Sequence, residues 1–211
     1  MPLAERLWLE NADLARACLR HPFIRGIADG SLSQRNFAWY VGQDYFYLHA
    51  FARAYCIAAA KGVDWDATKA FHALAAGAIE EADLHKGYAE LWEIDLNEVK
   101  PSAATRRYTD FLLATAWGYD AGVTAAALTP CMRLYAHLGQ AVAKERNHEG
   151  NPYAGWITAY SSQDFEALSR QLESLVDRYA TPSKPVQDAY RYAMLCERDF
   201  FDTAWRCKSS D

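Results

Sequence analysis

The stretch FAWYVGQDYFYLHAF, residues 37–51, carries one carboxylate among aromatic and aliphatic residues. Its apolar residues recur at intervals of three and four, which is the repeat of one helix face. Extended by one position of that repeat, the face comprises Phe37, Tyr40, Asp44, Tyr47, Phe51 and Ala54. Asp44 is therefore predicted to point into the core, where a carboxylate without a hydrogen-bond partner is costly. Two interpretations stay open: a structural carboxylate that holds a neighbouring helix, or part of a ligand site.

Two other apolar faces at helical spacing each contain one chemically active group. The first comprises Val186, Tyr190, Ala193, Glu197, Phe200 and Ala204, and the second Leu128, Cys131, Tyr135, Leu138 and Val142. Two inward carboxylates can bind a ligand rich in nitrogen, one can hold a raised pKa and donate a proton, or both can anchor arginines. Cys131 follows Pro130, which removes a helix hydrogen bond and can kink the helix. Buried cysteines are more often inert than reactive, so the residues alone do not decide.

Signals for the start and end of helices recur along the remaining sequence, and no alternating run of β-branched residues predicts a strand. The expected boundaries are a stop at Gly30, caps at Ser33, Asp66, Ser102 and Ser161 or Ser162, stops at Gly62 and Gly118, and TPSKP before the last helix. These boundaries predict one all-α domain, residues 1–211, built as a bundle of roughly seven to nine helices.

Composition narrows the class of protein. Of the 211 residues, 51% are hydrophobic and 23% charged, which is typical of a globular domain. The net charge of -5 and the absence of a Lys/Arg run argue against a nucleic-acid partner. No segment approaches the ~18 consecutive apolar residues of a membrane span. The 5 cysteines form no CxxC motif, and the first residues lack an apolar signal-peptide run, so reduced thiols and a cytoplasmic location are expected.

Metal ligands are sparse. A di-iron site in a bundle needs two Glu-x-x-His units, and the sequence has one, Glu145 to His148, in a polar turn. Glu81 and His85 are four residues apart and are expected to make a surface or interhelix hydrogen bond. His21 is a lone candidate for a haem ligand. These patterns predict no metal site.

Five segments resemble the TenA family, the thiaminase II enzymes, in the family's order along the chain. They are HPFIRGIADGSL with FAWYVGQDYFYL, then EADLHKGYAEL, LTPCMRLYAHLG, NPYAGWITAYSSQDFEAL and CERDFFDTAW. The resemblance implies a haem-oxygenase-like all-α fold, a homotetramer, no cofactor and a role in thiamin salvage. Cys131 places the chain with the cysteine-bearing branch of the family.

The resemblance also implies a role for each matching residue. Cys131 corresponds to the nucleophile and Glu197 to the acid that protonates the pyrimidine ring. Asp44 corresponds to the residue that binds a ring nitrogen and its exocyclic amine, and Tyr47 to the hydroxyl placed against the sulfur. Three tyrosines match pocket residues that contact the substrate: Tyr108, Tyr135 and Tyr160. Arg133 departs from the family's usual aromatic residue and is expected to affect packing or a subunit contact.

The implied reaction is hydrolysis of 4-amino-5-aminomethyl-2-methylpyrimidine to its 5-hydroxymethyl product and ammonia, with slower cleavage of thiamin. Thiolate addition breaks the aromaticity of the ring, and a carboxylic acid makes that addition feasible. Two alternatives remain. One is another enzyme of the same fold, such as an oxidase, and the other is a non-enzymatic protein that binds a pyrimidine or has a regulatory role.

Overall fold

The computed structural model describes residues 1–91, 94–96, 98–145 and 148–207, with the backbone alone for residues 83–88, 90 and 91. These residues form ten α-helices and no strand, which confirms the all-α prediction. The helices are α1 Leu3–Glu10, α2 Ala12–Leu19, α3 Pro22–Asp29, α4 Gln34–Ala60, α5 Trp65–Leu91, α6 Ala103–Gly118, α7 Ala121–Ala143, α8 Ala154–Ser161, α9 Gln163–Tyr179 and α10 Lys184–Arg206.

The helix count exceeds the predicted seven to nine because the first 29 residues hold three short helices. Asn11 ends α1 and precedes α2, and its side-chain amide donates to the Leu7 carbonyl at 2.8 Å. His21 lies at the second break, where its ring accepts from the Phe23 backbone N–H at 3.1 Å. The Asn11 side chain thus satisfies a carbonyl at the end of α1, whereas the His21 side chain caps the start of α3.

Most predicted helix boundaries are confirmed. Gly30 ends α3 in the left-handed conformation, with φ of 80°, which glycine adopts without steric cost. Three serines cap the helices that follow them by accepting a backbone N–H: Ser33, Ser102 and Ser162. The predicted cap at Asp66 is wrong, because the Asp64 carboxylate accepts from the Ala67 N–H at 2.7 Å and α5 begins at Trp65.

The three predicted inward faces lie in one hydrophobic core. All members of the α4, α7 and α10 faces are buried except Cys131, which is half-buried. Helix α4 packs on α5, and α7 packs on α8, α9 and α10. The polar members of the three faces, Asp44, Cys131 and Glu197, therefore meet inside the bundle rather than at its surface.

Two features of α7 position the face that carries Cys131 and Tyr135. The helix continues through Pro130, one residue before Cys131. At Gly139, an added Cβ would meet the backbone carbonyl group of Tyr160 and lie 2.8 Å from the Ser161 nitrogen. Glycine here lets the end of α8 lie directly on α7, which brings Tyr160 to the level of Tyr135.

Among the helices of the described residues, none is both long enough and apolar enough to span a membrane.

Candidate active site

Glu197, on α10, is the most deeply buried of the carboxylates predicted to face the site, with 2% of its surface exposed. The Tyr108 hydroxyl of α6 donates to its Oε1 at 2.7 Å. Burial raises the pKa of Glu197 to about 8, and the charge of Asp44 adds to this rise, against the opposing hydrogen bonds of Tyr108 and Cys131. The carboxyl group therefore holds its proton at neutral pH and can donate it to a ligand.

Asp44, on α4, lies one helical turn from Tyr47 and is also buried. Its charge raises the pKa values of Glu197, Cys131, Tyr40 and Tyr135, in each case as an addition to the larger effect of burial. The carboxylate therefore lies within electrostatic reach of Glu197 and Cys131 as well as of the two tyrosines. An anion at this position stabilises a cation or a row of N–H donors brought into the site.

Cys131, on α7, combines partial solvent accessibility with strong desolvation. Burial raises the pKa of its thiol well above the usual range, and the charge of Glu197 raises it further, while Tyr47 opposes the rise. The side chain is therefore largely enclosed by protein and retains a partial exposure. Because its pKa is raised, the thiol is protonated near neutral pH.

The Tyr47 hydroxyl is buried and forms no hydrogen bond with another described residue. It nevertheless lies close enough to the Cys131 thiol to lower its pKa, so the two groups are neighbours without ideal hydrogen-bond geometry. The Tyr47 ring packs against Tyr108, with ring centroids 4.9 Å apart. A hydroxyl left without a partner beside the thiol is suited to donate to a thiolate once one forms.

Aromatic residues form a further wall of the site. The rings of Tyr135 and Tyr160 meet edge to face at 4.8 Å. The Tyr40 hydroxyl donates to that of Tyr135 at 3.4 Å and accepts from Trp156 Nε1 at 3.3 Å. Flat walls of this kind hold a planar ring and exclude bulk water. Tyr40 and Trp156 are absent from the predicted site, because nothing in the sequence separates them from the many aromatics of the core.

The seven predicted site residues lie on five helices that surround one region of the core. Asp44 and Tyr47 come from α4, Tyr108 from α6, Cys131 and Tyr135 from α7, Tyr160 from α8 and Glu197 from α10. The Tyr108–Glu197 hydrogen bond and the Tyr47–Tyr108 and Tyr135–Tyr160 ring contacts join five of the seven. Their catalytic and binding roles remain predictions.

The candidate metal ligands are occupied in other ways. Glu145 binds Arg25 through two hydrogen bonds of 2.7 Å, and His148 Nε2 lies 3.0 Å from the Val142 carbonyl oxygen. His21 caps α3 and lies 3.1 Å from Asp202. The expected contact of Glu81 with His85 involves a side chain outside the described residues. Within the described part of the chain, no group of three or more His, Cys, Asp or Glu residues could hold a metal ion.

Arg133 lies away from the thiol, as expected. Its guanidinium pairs with Glu166 and Glu173 of α9, the latter at 3.5 Å. These contacts fix α7 against α9, so Arg133 takes part in packing between two helices.

Comparison with known proteins identifies relatives of this chain. A model of the TENA/THI-4/PQQC family matches residues 9–207. The thiamine biosynthesis multifunctional protein ThiED of Corynebacterium efficiens is 34% identical over 97% of this chain and 28% of its own length. The aminopyrimidine aminohydrolase of Halalkalibacterium halodurans is 29% identical over 97% of this chain and 96% of its own length.

The fold also matches solved structures. A TenA homologue from P. horikoshii OT3 superimposes with a TM-score of 0.90, covering 98% of this chain and 99% of that one, at 22% identity. At that identity the likeness shows the fold alone. The chain spans 27% to 36% of the length of three curated relatives, all of them named as multifunctional or bifunctional proteins.

Proposed function

This chain belongs to the TENA/THI-4/PQQC family, and from that membership and the site we propose that it hydrolyses aminopyrimidines in thiamin salvage. The substrate is 4-amino-5-aminomethyl-2-methylpyrimidine, and the products are the 5-hydroxymethylpyrimidine and ammonia. Thiamin, which carries the same ring with a thiazolium leaving group, is cleaved more slowly. The similarity to the aminopyrimidine aminohydrolase of H. halodurans, which extends over 96% of that protein, supports this activity.

One observation carries the proposal: a carboxylic acid that is protonated at neutral pH lies beside a cysteine in an enclosed aromatic site. The pKa of Glu197 is raised to about 8 by burial and by Asp44, and Cys131 shares this environment. A site that only bound a pyrimidine would need neither a nucleophile nor an acid. Both groups are needed when a thiol adds to an aromatic ring, because the ring must accept a proton as it accepts the sulfur.

In the proposed reaction, the Cys131 thiolate forms a bond to a pyrimidine ring carbon while Glu197 protonates a ring nitrogen. The C–N bond to the leaving group then breaks, and its electron pair departs with the amine, which leaves an electrophilic exocyclic methylene. Water adds to this carbon and loses a proton. The ring regains its aromaticity by expelling the thiolate and returning its proton to Glu197.

Binding of the substrate also brings a positive charge to the thiol. The thiol is protonated at rest, since burial raises its pKa; it gives this proton to solvent when the thiolate forms and recovers one after the thiolate is expelled. The aminomethyl group is an ammonium near neutral pH, and a cation beside the sulfur favours the thiolate. The Tyr47 hydroxyl, which has no hydrogen-bond partner among the described residues, then donates to it. Asp44 accepts from the exocyclic amine of the ring, and Tyr108, Tyr135 and Tyr160 contact its faces and edges.

The proposal includes the cysteine-bearing branch of the family, the haem-oxygenase-like fold, a cytoplasmic location and a homotetramer. Large apolar side chains on the surface support assembly: Val63 is 76% exposed, Trp65 75% and Trp117 71%. Lys61 brings the ends of α4 and α6 together by donating to the carbonyls of Ala116 and Trp117. Exposed apolar groups gathered at one end of a molecule favour contact with another subunit. Light scattering should find four chains per particle.

The test of the activity is incubation of the purified protein with the aminomethylpyrimidine. Ammonia and the hydroxymethylpyrimidine should appear in equal amounts, and neither should form without protein. Tight binding of the pyrimidine without turnover would instead favour the non-enzymatic binding protein.

A further inference from the structure

Helix α4 presents a second buried tyrosine to the site, Tyr55, two turns after Tyr47. The rings of Tyr47, Phe51 and Tyr55 follow one another along the helix, with centroids 5.2 Å and 4.6 Å apart. Tyr55 is 1% exposed, and its hydroxyl has no hydrogen-bond partner among the described residues. Leaving a buried hydroxyl unpaired is unfavourable, so a group that binds there gains a ready partner.

Glu81 approaches the same place from α5. It follows the buried residues Leu74 and Ala78 at spacings of seven and three, which puts it on the core side of α5, where that helix packs on α4. Burial raises the pKa values of Cys131, Tyr55 and Tyr160, and the charge of Glu81 adds to the rise at all three. A half-buried carboxylate thus lies within electrostatic reach of the thiol, an unpaired hydroxyl and a wall tyrosine.

Tyr55 lies two turns farther along α4 than Tyr47, whose ring packs on the Tyr108 that binds Glu197. Burial is the main cause of the raised pKa of Tyr47, and Cys131, Tyr108 and Glu197 add to it. Burial also dominates the raised pKa of Tyr55, but there the added charges are those of Cys131 and Glu81. Glu197 and Tyr47 therefore belong to one polar set near the thiol, and Glu81 and Tyr55 belong to a second. The thiol itself is half-buried.

We propose that Glu81 and Tyr55 hold the hydrolytic water near Cys131, with Glu81 as its general base. A buried water needs two to four polar partners, and the Tyr55 hydroxyl and the Glu81 carboxylate supply two of them. This assignment rests on the hydrolysis proposed above and adds a second acid–base group to it.

Glu197 recovers its own proton from the ring nitrogen, so the proton released by water needs only one further acceptor. After the C–N bond breaks, the departing ammonia is neutral and the exocyclic methylene is electrophilic. Water forms the C–O bond and gives one proton to the Glu81 carboxylate. Ammonia takes up that proton and leaves as ammonium, so Glu81 is ionised again before the next turnover.

The test uses the whole protein, the aminomethylpyrimidine and 2-mercaptoethanol as a competing nucleophile for the methylene. Glu81→Gln and Tyr55→Phe should each raise the ratio of thioether to alcohol product by about tenfold, because water addition alone loses its base or its hydrogen bond. Ammonia should still be released in a first burst equal to the enzyme concentration. A purely structural role would lower both products together and leave the ratio unchanged.

Two matched variants serve as controls. Glu80→Gln removes the neighbouring exposed carboxylate, and Tyr190→Phe removes another buried hydroxyl without a partner among the described residues, on α10 near Arg133 and Glu173. Both should keep the parent's product ratio. Tyr55→Phe preserves ring packing, so it reports on the hydroxyl even if Glu81→Gln fails to fold.

Two failures are distinguishable. If the parent releases ammonia but Tyr55→Phe keeps the parent ratio, the water assignment is wrong and the hydrolysis stands. If the parent releases no ammonia from the aminomethylpyrimidine, the hydrolysis is wrong and the water assignment falls with it.

Discussion

Glu197 illustrates how the surroundings of one residue select its chemical role. Its carboxyl group is buried on α10, hydrogen-bonded to Tyr108 of α6 and placed near the charge of Asp44, and its pKa is about 8 rather than 4.5. A shift of this size keeps an acid available at the pH where most enzymes work. The same carboxylate on the protein surface would be ionised and could only accept protons.

Activity should therefore fall as the pH rises through about 8, because the fraction of protonated Glu197 falls there. Glu197→Gln should lower turnover by about a hundredfold or more and remove this dependence, while substrate binding changes less. Rate profiles between neutral and alkaline pH, with calorimetric binding for both proteins, would check this. A variant that retains the parent's alkaline decline would assign the titration to another group.

The thiol provides the second prediction at this scale. Cys131→Ser should lower turnover by at least about a hundredfold, because a hydroxyl near neutral pH is a far weaker nucleophile than a thiolate. Circular dichroism should show the parent fold, since serine is similar in size. Cys56→Ser is the matched control, because Cys56 is exposed on α4 and its loss should leave the rate unchanged. Near-normal turnover in Cys131→Ser would exclude the covalent mechanism.

Asp44 should act mainly on binding. Asp44→Asn replaces a group that only accepts hydrogen bonds by one that also presents donors, which conflicts with an amine donor on the ring. We expect weaker substrate binding by about tenfold or more, together with lower turnover. Calorimetry and kinetics on the variant measure both. If the Asp44→Asn variant binds and turns over normally but melts earlier, the structural interpretation of this carboxylate is favoured.

At the scale of the helix, the apolar repeat is enough to predict which faces turn inward. The faces of α4, α7 and α10 can be predicted with their polar members, and the structure buries them as expected. The local caps at Ser33, Ser102 and Ser162 are also readable, since a cap depends on residues within one turn. The cap at Asp64 could not be told from one at Asp66, because two aspartates two residues apart offer the same local signal.

Contacts between residues far apart in the sequence could not be predicted from the apolar repeat or from local caps. The Tyr108–Glu197 hydrogen bond joins residues 89 positions apart, and the Tyr40–Trp156 pair spans 116 positions. Tyr55 gives no local signal either, because a tyrosine on an apolar stripe is most often plain core. The family resemblance predicted Tyr108 and Glu197 as site residues. Tyr40, Trp156 and Tyr55 were found only in the structure.

Gly139 tests how closely α7 and α8 must approach. A Cβ there would collide with backbone atoms of Tyr160 and Ser161, which cannot move aside as a flexible side chain can. Gly139→Ala should therefore destabilise the protein by about 1–3 kcal/mol and raise KM by displacing Tyr160 from the aromatic wall. Thermal or urea unfolding together with kinetics measures both effects.

Gly77→Ala is the control for this substitution. Gly77 also lies within a helix, α5, but nothing lies within 4 Å of the position of an added Cβ. Alanine there should be neutral or stabilise the helix by up to ~1 kcal/mol, and KM should not change. Equal effects of the two substitutions would show that helix propensity, rather than the approach of α8, governs Gly139.

For the whole molecule, the arrangement of helices decides what the site can recognise. The site groups come from helices distributed along most of the sequence, and they surround one region of the core. Asp44, Glu197 and the tyrosines offer partners for a pyrimidine with its ring nitrogens and amine. Among the described residues we identify no group dedicated to a thiazole.

These site groups predict which of the two substrates is preferred. A small amine leaving group fits the enclosed space beside Cys131, whereas the thiazolium of thiamin must find additional room. We expect kcat/KM for the aminomethylpyrimidine to exceed that for thiamin by about tenfold or more, which requires only ~1.4 kcal/mol of differential transition-state binding. Thiamin should still be cleaved, because the ring that the thiol attacks is the same. Side-by-side measurement of the two values decides the matter, and a clear preference for thiamin would require a thiazole-binding region formed by side chains outside the set described above.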